Sequence, residues 1–253
     1  MRTRLVMVVA CAALCAAASW AVPGGSAGAA PAPDPIWVRQ LGVTGEQAGS
    51  AIAVDGDGNV YLAGGSDGNL PGSDGAGGAF VARYTAAGQQ VWLHQFGVGA
   101  SVSSMTLGPT GAVVVAGFTI QPFPGSPDPP AGGRDAFVAQ FGPDGSPEWA
   151  RQLGGPADDY AVSVASNASG AITVGGYGYG PIDGAPETFG GAVDVFFARF
   201  DATGARAWVH QFGRAGTELG GYVAVAPDGS TYLAGSTFER LPGEHERHSG
   251  GLN

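Results

Sequence analysis

Residues 51–66 read AIAVDGDGNVYLAGGS, and residues 77–97 read GGAFVARYTAAGQQVWLHQFG. Four strand signals lie in this span. Ile52-Ala53-Val54 sits in an alternating run, the pattern of a half-buried strand, here strand A. Asp57-Gly58 between two apolar runs is a hairpin signal. Val60-Tyr61-Leu62-Ala63-Gly64 is nearly continuously apolar and ends in glycine, as suits a strand buried on both faces, strand B. Ala79-Phe80-Val81-Ala82 predicts strand C. Trp92-Leu93-His94-Gln95-Phe96-Gly97 predicts strand D.

The same unit returns along the chain. Strand D recurs from Trp37, Trp92, Trp149 and Trp208, at spacings of 55, 57 and 59 residues. Its pattern is Trp, any residue, Arg or His, Gln, Leu or Phe, Gly. Strand A recurs as Met105-Thr106-Leu107, Val162-Ser163-Val164 and Val223-Ala224-Val225. Strand B recurs as Val113 to Gly117, Ile172 to Gly176 and Thr231 to Gly235. Strand C recurs as Ala136 to Phe141 and Val195 to Phe200. The Phe80–Trp92, Phe137–Trp149 and Phe196–Trp208 separations are all 12 residues. A fixed separation predicts a tight C–D hairpin whose turn sets the register. The loops between B and C vary, around Leu70-Pro71-Gly72, Phe123-Pro124-Gly125, Ile182-Asp183-Gly184 and Leu241-Pro242-Gly243. No amphipathic helical window follows residue 30. Four antiparallel strands per repeat of this length make one blade of a β-propeller, stable only when stacked on its neighbours.

The quoted stretch resembles the SBBP family, the bacterial β-propeller repeat. The family's usual elements are Ile-Ala-Val-Asp, Gly-Asn-Val-Tyr-Val-Thr-Gly, a Phe-Pro loop, Asp-Ala-Phe-Val-Ala and a Trp strand. The likeness runs over about residues 36–253. It implies a propeller fold and an extracytoplasmic setting, and it brings no catalytic residues to carry over. The chain departs from the pattern in places. Asp135 and Asp194 precede strand C, but Gly78 stands there in the first repeat. Only Asp55 keeps the Asp of the first motif. Gly250-Gly251-Leu252-Asn253 falls where a fourth strand C would begin. The expectation is therefore all-β and β-propeller-like: four-stranded antiparallel blades, three complete and a partial fourth, in an open arc or an imperfect four-bladed ring. The Trp37 strand is available to close such a ring as strand D of the fourth blade. A truncated gene product fits the same pattern, and unpaired strands at the break predict edge-strand self-association.

Residues 1–29 have the layout of a secretory signal peptide. Arg2 and Arg4 precede an apolar run, Leu5 to Ala18, too short to span a bilayer comfortably, with small residues after it. Ala27-Gly28-Ala29 is one cleavage triplet and Ser19-Trp20-Ala21 another. Val8-Val9-Ala10-Cys11 resembles a lipobox, so lipidation at Cys11 is an alternative. Cys11 and Cys15 are the only cysteines, and both leave with the leader. Residues 30–35 are a linker, and 36–253 form the repeat domain, with repeats near 37–91, 92–148, 149–207 and 208–253. Gly and Pro supply about a quarter of the 253 residues. The 44% apolar content argues against disorder, and glycine has no three-residue period, which excludes collagen. There is no lysine, and the net charge is −10. That excludes a general nucleic-acid or anionic-membrane binder.

Candidate chemistry is sparse. Asp55-Gly56-Asp57-Gly58-Asn59 has alternate oxygen ligands, but an EF-hand needs Gly where Val60 stands and Glu where Ser66 stands, so a hairpin turn is expected. His94 and His210 share a slot with Arg39 and Arg151. Recurrence once per blade predicts a structural or surface role, including contact with an aromatic ring. Gln40, Gln95, Gln152 and Gln211 lie on the opposite face and should hydrogen-bond backbone or side chains. Glu244-His245-Glu246-Arg247-His248 is expected to be solvated loop rather than a metal site. Gly175 to Gly180 precedes no helix and so lacks a phosphate-binding context. Asn167-Ala168-Ser169 fits a glycosylation sequon. No catalytic, cofactor-binding or metal residue is assigned, and no cofactor is expected. The expected function is a secreted or cell-surface, non-enzymatic binding or scaffold module for a protein or glycan. Its contact surface would be the B–C loops with Phe123, Tyr177, Tyr179 and Phe238. The alternatives are a propeller enzyme or metal-dependent propeller, with Asp158, Asp159 and Glu218 facing a central channel, and a fragment of a larger repeat protein.

Overall fold

A computed structural model of the chain describes residues 7–10, 37–42, 45–75, 77–226 and 228–237. Among them there is no helix. Three four-stranded antiparallel sheets follow one another along the chain. Blade 1 holds β3 (Gln47–Val54), β4 (Val60–Ser66), β5 (Gly78–Tyr84) and β6 (Gln90–Phe96). Blade 2 holds β7 (Ser101–Leu107), β8 (Val113–Thr119), β9 (Asp135–Phe141) and β10 (Pro147–Leu153). Blade 3 holds β11 (Asp159–Ser166), β12 (Ile172–Gly178), β13 (Asp194–Phe200) and β14 (Arg206–Phe212). A two-stranded half-blade follows, β15 (Glu218–Val225) and β16 (Thr231–Thr237). Each blade is a plain A-B-C-D meander, as the repeats predict. The leading strand β2 (Val38–Leu41) pairs in parallel with β1 (Met7–Ala10).

Strand A is bulged at the same place in every repeat. The register slips between Gly49 and Ala51, Val102 and Ser104, Ala161 and Ser163, and Gly220 and Tyr222. The bulge turns a backbone carbonyl onto strand B. A Cβ on Gly64, Gly117 or Gly176 would lie 1.9, 1.9 or 2.0 Å from the carbonyl oxygen of Ala48, Ser101 or Tyr160. This close approach is why strand B ends in glycine.

The blades stack face to face. Tyr61, Ala63, Val81 and Trp92 of blade 1 pack on Val113, Val115, Phe137 and Phe141 of blade 2. The other face of blade 2, with Val114, Ala116 and Val138, packs on Ile172, Val174, Phe196 and Phe200 of blade 3. Strands β4, β8 and β12 are accordingly buried on both faces. The strand-D Trp of blades 1 and 2 also ties its blade to the next C–D turn. Trp92 Nε1–H donates to Pro143 O at 3.2 Å, and Trp149 Nε1–H to Ala202 O at 3.2 Å. The turn residue under each ring is a positive-φ glycine, Gly145 or Gly204.

The Trp37 strand obeys the same rule. Trp37 Nε1–H donates to Ala86 O at 3.1 Å, and Trp37 and Leu41 cover Val60, Leu62 and Phe80 of blade 1. It thus stands where the strand D of a preceding blade would stand. Among the described residues it joins no sheet with β15 and β16, which is the open arc of the two expected arrangements. Among the described residues the row of blades has no further strand beyond β2 and β1 at one end or beyond β16 at the other. Ile52 and Val54 on β3, and Tyr222, Tyr232 and Leu233 on the half-blade, are exposed.

Candidate binding face

In an antiparallel meander, strands A and C begin, and B and D end, on one edge. The D–A and B–C loops therefore share one face of the arc. Two devices hold these loops. The first is the recurrent Gln of strand D. Gln95 Oε1 accepts from Leu70 N–H at 2.6 Å, Gln152 Oε1 from Phe123 N–H at 2.8 Å, and Gln211 Oε1 from Ile182 N–H at 3.0 Å. All three glutamines are buried, as are Leu70, Phe123 and Ile182, so each B–C loop is plugged into its blade. Phe123 stacks on Phe137 with centroids 4.2 Å apart. The expectation that Phe123 lies on the contact surface is therefore wrong: the Gln bond turns it inward. Phe238 lies outside the described residues, as does Glu244 to His248.

The second device is carboxylate. Asp135, Asp159, Asp194 and Glu218 are buried between blades. Asp135 Oδ2 accepts from Ala131 N–H and from the Gln152 amide, and Asp159 Oδ2 from Gly155 N–H. Glu218 accepts from Arg214 N–H and the Thr237 hydroxyl. Burial pushes the Asp159 carboxyl up to about 7, and the facing Asp135 adds to the effect. Asp159 and Glu218 are hence buried and bonded to the backbone of the loops that lead into their strands. Asp158 turns the other way, onto Arg134, with Nη1 to Oδ2 at 2.9 Å. The Arg134 backbone N–H, then its guanidinium, hold Asp158 below the usual carboxylate range.

Above these braces runs a strip of aromatic rings. Phe118, after the strand-B glycine of blade 2, meets Tyr160 edge-on at 5.2 Å. Tyr160 stacks on its cross-strand partner Tyr177 at 5.2 Å, and both meet Tyr179 edge-on at 6.5 and 6.2 Å. The Arg134 guanidinium lies 5.8 and 5.9 Å from the Phe118 and Tyr160 rings. The Tyr160 hydroxyl donates to Asp158. Tyr179 is 50% exposed and the other three rings are half-buried. Phe118 also lines a cleft of about 690 Å³ between blades 1 and 2, with Glu46, Ser66, Asp67 and Ser101. The cleft opens where Gly78 and Ala100 stand in the places of the carboxylate pair of the later junctions. Tyr177 and Tyr179 were legible as surface aromatics. Phe118, Tyr160 and Arg134 were missed, although aligning the residue after each strand-B glycine brings Phe118 and Tyr177 into one column.

The histidines of the basic slot make the aromatic contacts expected of them. His94 contacts Asp74 and packs near Trp92 and Phe141, while His210 Nδ1 lies 2.6 Å from Glu187 and packs near Trp208 and Phe212. Among the described residues neither imidazole bonds a serine, threonine or cysteine. The Asp55 carboxylate accepts from the N–H groups of Asp57 and Asn59 and from the Asn59 amide, in a hairpin turn with Gly58 at φ 82°. That is the predicted turn.

Stacked meander blades, tied by Trp and braced by buried carboxylates, define a propeller-type repeat protein. Residues 36–71 match the family model described as beta-propeller repeat, SBBP. The match runs from the Trp37 strand through strands A and B to the plugged loop. No curated protein matches the chain. No helix among the described residues is long and apolar enough to cross a membrane.

Proposed function

We propose that this is an extracytoplasmic, non-enzymatic binding module that takes a neutral glycan on the Phe118–Tyr160–Tyr177–Tyr179 strip. The strip carries the reading. Rings with an apolar face and a polar tip suit a ligand that is apolar on its ring faces and hydroxylated at its edges. Arg134 and Asp158, paired beside the rings, offer fixed donors and acceptors to hydroxyl groups, as small-ligand sites do. The acidic balance of the chain disfavours an anionic ligand. The leader-like residues 1–29 and the resemblance to an extracytoplasmic repeat family support the location. The non-enzymatic part rests on the repeated, nucleophile-free setting of both histidines.

Titration calorimetry against a panel of neutral oligosaccharides tests the site. Tyr179→Ala and Tyr177→Ala should each weaken binding by about 1–3 kcal/mol while leaving the circular dichroism spectrum unchanged. Undiminished affinity in both variants would refute the assignment. Turnover of the bound sugar would refute the non-enzymatic reading. Fractionation of the producing cells, with N-terminal sequencing of the product, tests location and cleavage.

A further inference from the structure

The two junctions between complete blades carry the same cleft with different charge. It lies between strand D of one blade and the C–D hairpin of the next. At the junction of blades 2 and 3 its volume is about 250 Å³, and Asp128 shares the lining with Arg151 and Arg206. At the junction of blades 1 and 2 its volume is about 430 Å³. Aligning the repeats on Trp explains the difference. His94 takes the strand-D place of Arg151, and Pro147 takes the hairpin place of Arg206. The larger cleft therefore lacks both guanidinium groups, and the shorter side chains leave it roomier.

What remains in the larger cleft is aromatic and acidic. Phe96, Phe123, Phe141 and Trp149 line it. Phe96 lies 5.7 Å from Phe123 and 5.1 Å from Phe141, so the three rings make one continuous floor. Asp74 and Glu148 also line the cleft and are exposed. Asp74 meets the His94 imidazole, while Glu148 accepts from the uncharged Gln140 amide at 2.6 Å. Among the described residues, His94 is the only lining group that can carry positive charge, and Glu148 has no cationic partner.

An aromatic floor beside carboxylates complements a cation with an apolar shell. Ring faces attract positive charge through their quadrupole, and the carboxylates add Coulombic attraction. The volume is that of a small-ligand site. A metal ion suits it less, because rings supply no oxygen ligands. Among the described residues no group of three or more His, Cys, Asp or Glu is placed to hold one. We infer that this junction pocket binds a small quaternary ammonium compound, its alkyl groups against Phe96 and Trp149 and its charge towards Asp74 and Glu148. The pocket shares no residue with the tyrosine strip, and the inference does not rest on the glycan reading.

Titration calorimetry of the full chain with choline, in buffer above the imidazole titration range, tests it. Dimethylbutanol, the uncharged carbon isostere of choline, should bind at least about fivefold more weakly. His94→Arg should abolish choline binding, because it returns to the cleft the group that Arg39 and Arg151 place in the same slot. The fold already accepts arginine there. Glu148→Gln, at an exposed side chain, should weaken binding about threefold. Phe96→Leu, which copies Leu153 of the next junction, should do so by a similar factor. Tyr179→Ala should leave choline affinity unchanged. Absent choline binding, equal affinity for dimethylbutanol, or undiminished binding in both His94→Arg and Glu148→Gln would overturn the inference. Loss of choline binding in Tyr179→Ala alone would also overturn it, by placing the cation on the tyrosine strip.

Discussion

At the scale of single residues, the blade junctions depend on acids held out of water. Asp159 is fully buried with its Oδ2 on Gly155 N–H, and Oδ1 has no partner. Its carboxyl rises from 3.8 to about 7, first through burial and then through the facing Asp135 and nearby Asp158. A carboxyl with a raised folded-state value binds its proton more tightly in the native state. Its ionisation therefore destabilises the fold as pH rises from about 4 to 7, and the cost is complete above that window. Asp194 shifts in the same direction, also through burial. Asp158 and Asp201 shift down and contribute the opposite dependence, lost only as pH falls below about 4. Asp159→Asn stays neutral at every pH and nearly keeps the shape. Thermal unfolding should therefore show the wild-type midpoint falling between pH 5 and pH 8, and the variant's falling less. The difference is on the order of 4 kcal/mol at most. Parallel curves for the two proteins would show that Asp159 does not carry the dependence.

At the scale of the strand, the bulge of A and the glycine of B are one device. The extra residue turns a carbonyl inward, and only glycine leaves room for it. Gly117→Ala would put a methyl 1.9 Å from the Ser101 carbonyl oxygen, against the Ser101–Val102 backbone, which has no flexible end to move aside. It should cost at least about 3 kcal/mol in urea unfolding, or abolish folding. Gly108→Ala, at a site with ordinary 3.6 Å contacts and no positive φ, should change stability by under about 1 kcal/mol. Similar losses in both would show that glycine content, not the bulge, matters. Strand identity was legible because side-chain alternation and Trp spacing are local or periodic signals. The bulge was not, since one extra residue leaves the apolar pattern of A intact. Phe123 was misplaced for a related reason. A loop's path is decided by long-range bonds, here from Phe123 N–H to Gln152, 29 residues on. The Tyr160–Tyr177 stack likewise depends on a cross-strand register that the sequence implies only once the bulge is known.

At the scale of the molecule, a row of blades is a one-dimensional stack, and its stability is a sum of blade and junction contributions. Among the described residues, blade 2 has a four-stranded neighbour on each side, blade 1 has the Trp37 strand on its first face, and the half-blade has no strand beyond β16. Exposure follows that order, from β8, buried but for Phe118, to exposed β16. Terminal units of such a stack open with less free energy than internal ones, because fewer apolar contacts break. Native-state hydrogen exchange should therefore be slowest in β8, β9 and β12, faster in β3, and fastest in β15 and β16. Trp149→Phe removes the indole bond to Ala202 across the second junction. It should speed exchange in blade 3 and the half-blade more than in blade 1, because it uncouples what lies beyond that junction. Uniform acceleration through all three blades would mean that the arc opens as a single cooperative unit, and the additive picture of the stack would fail.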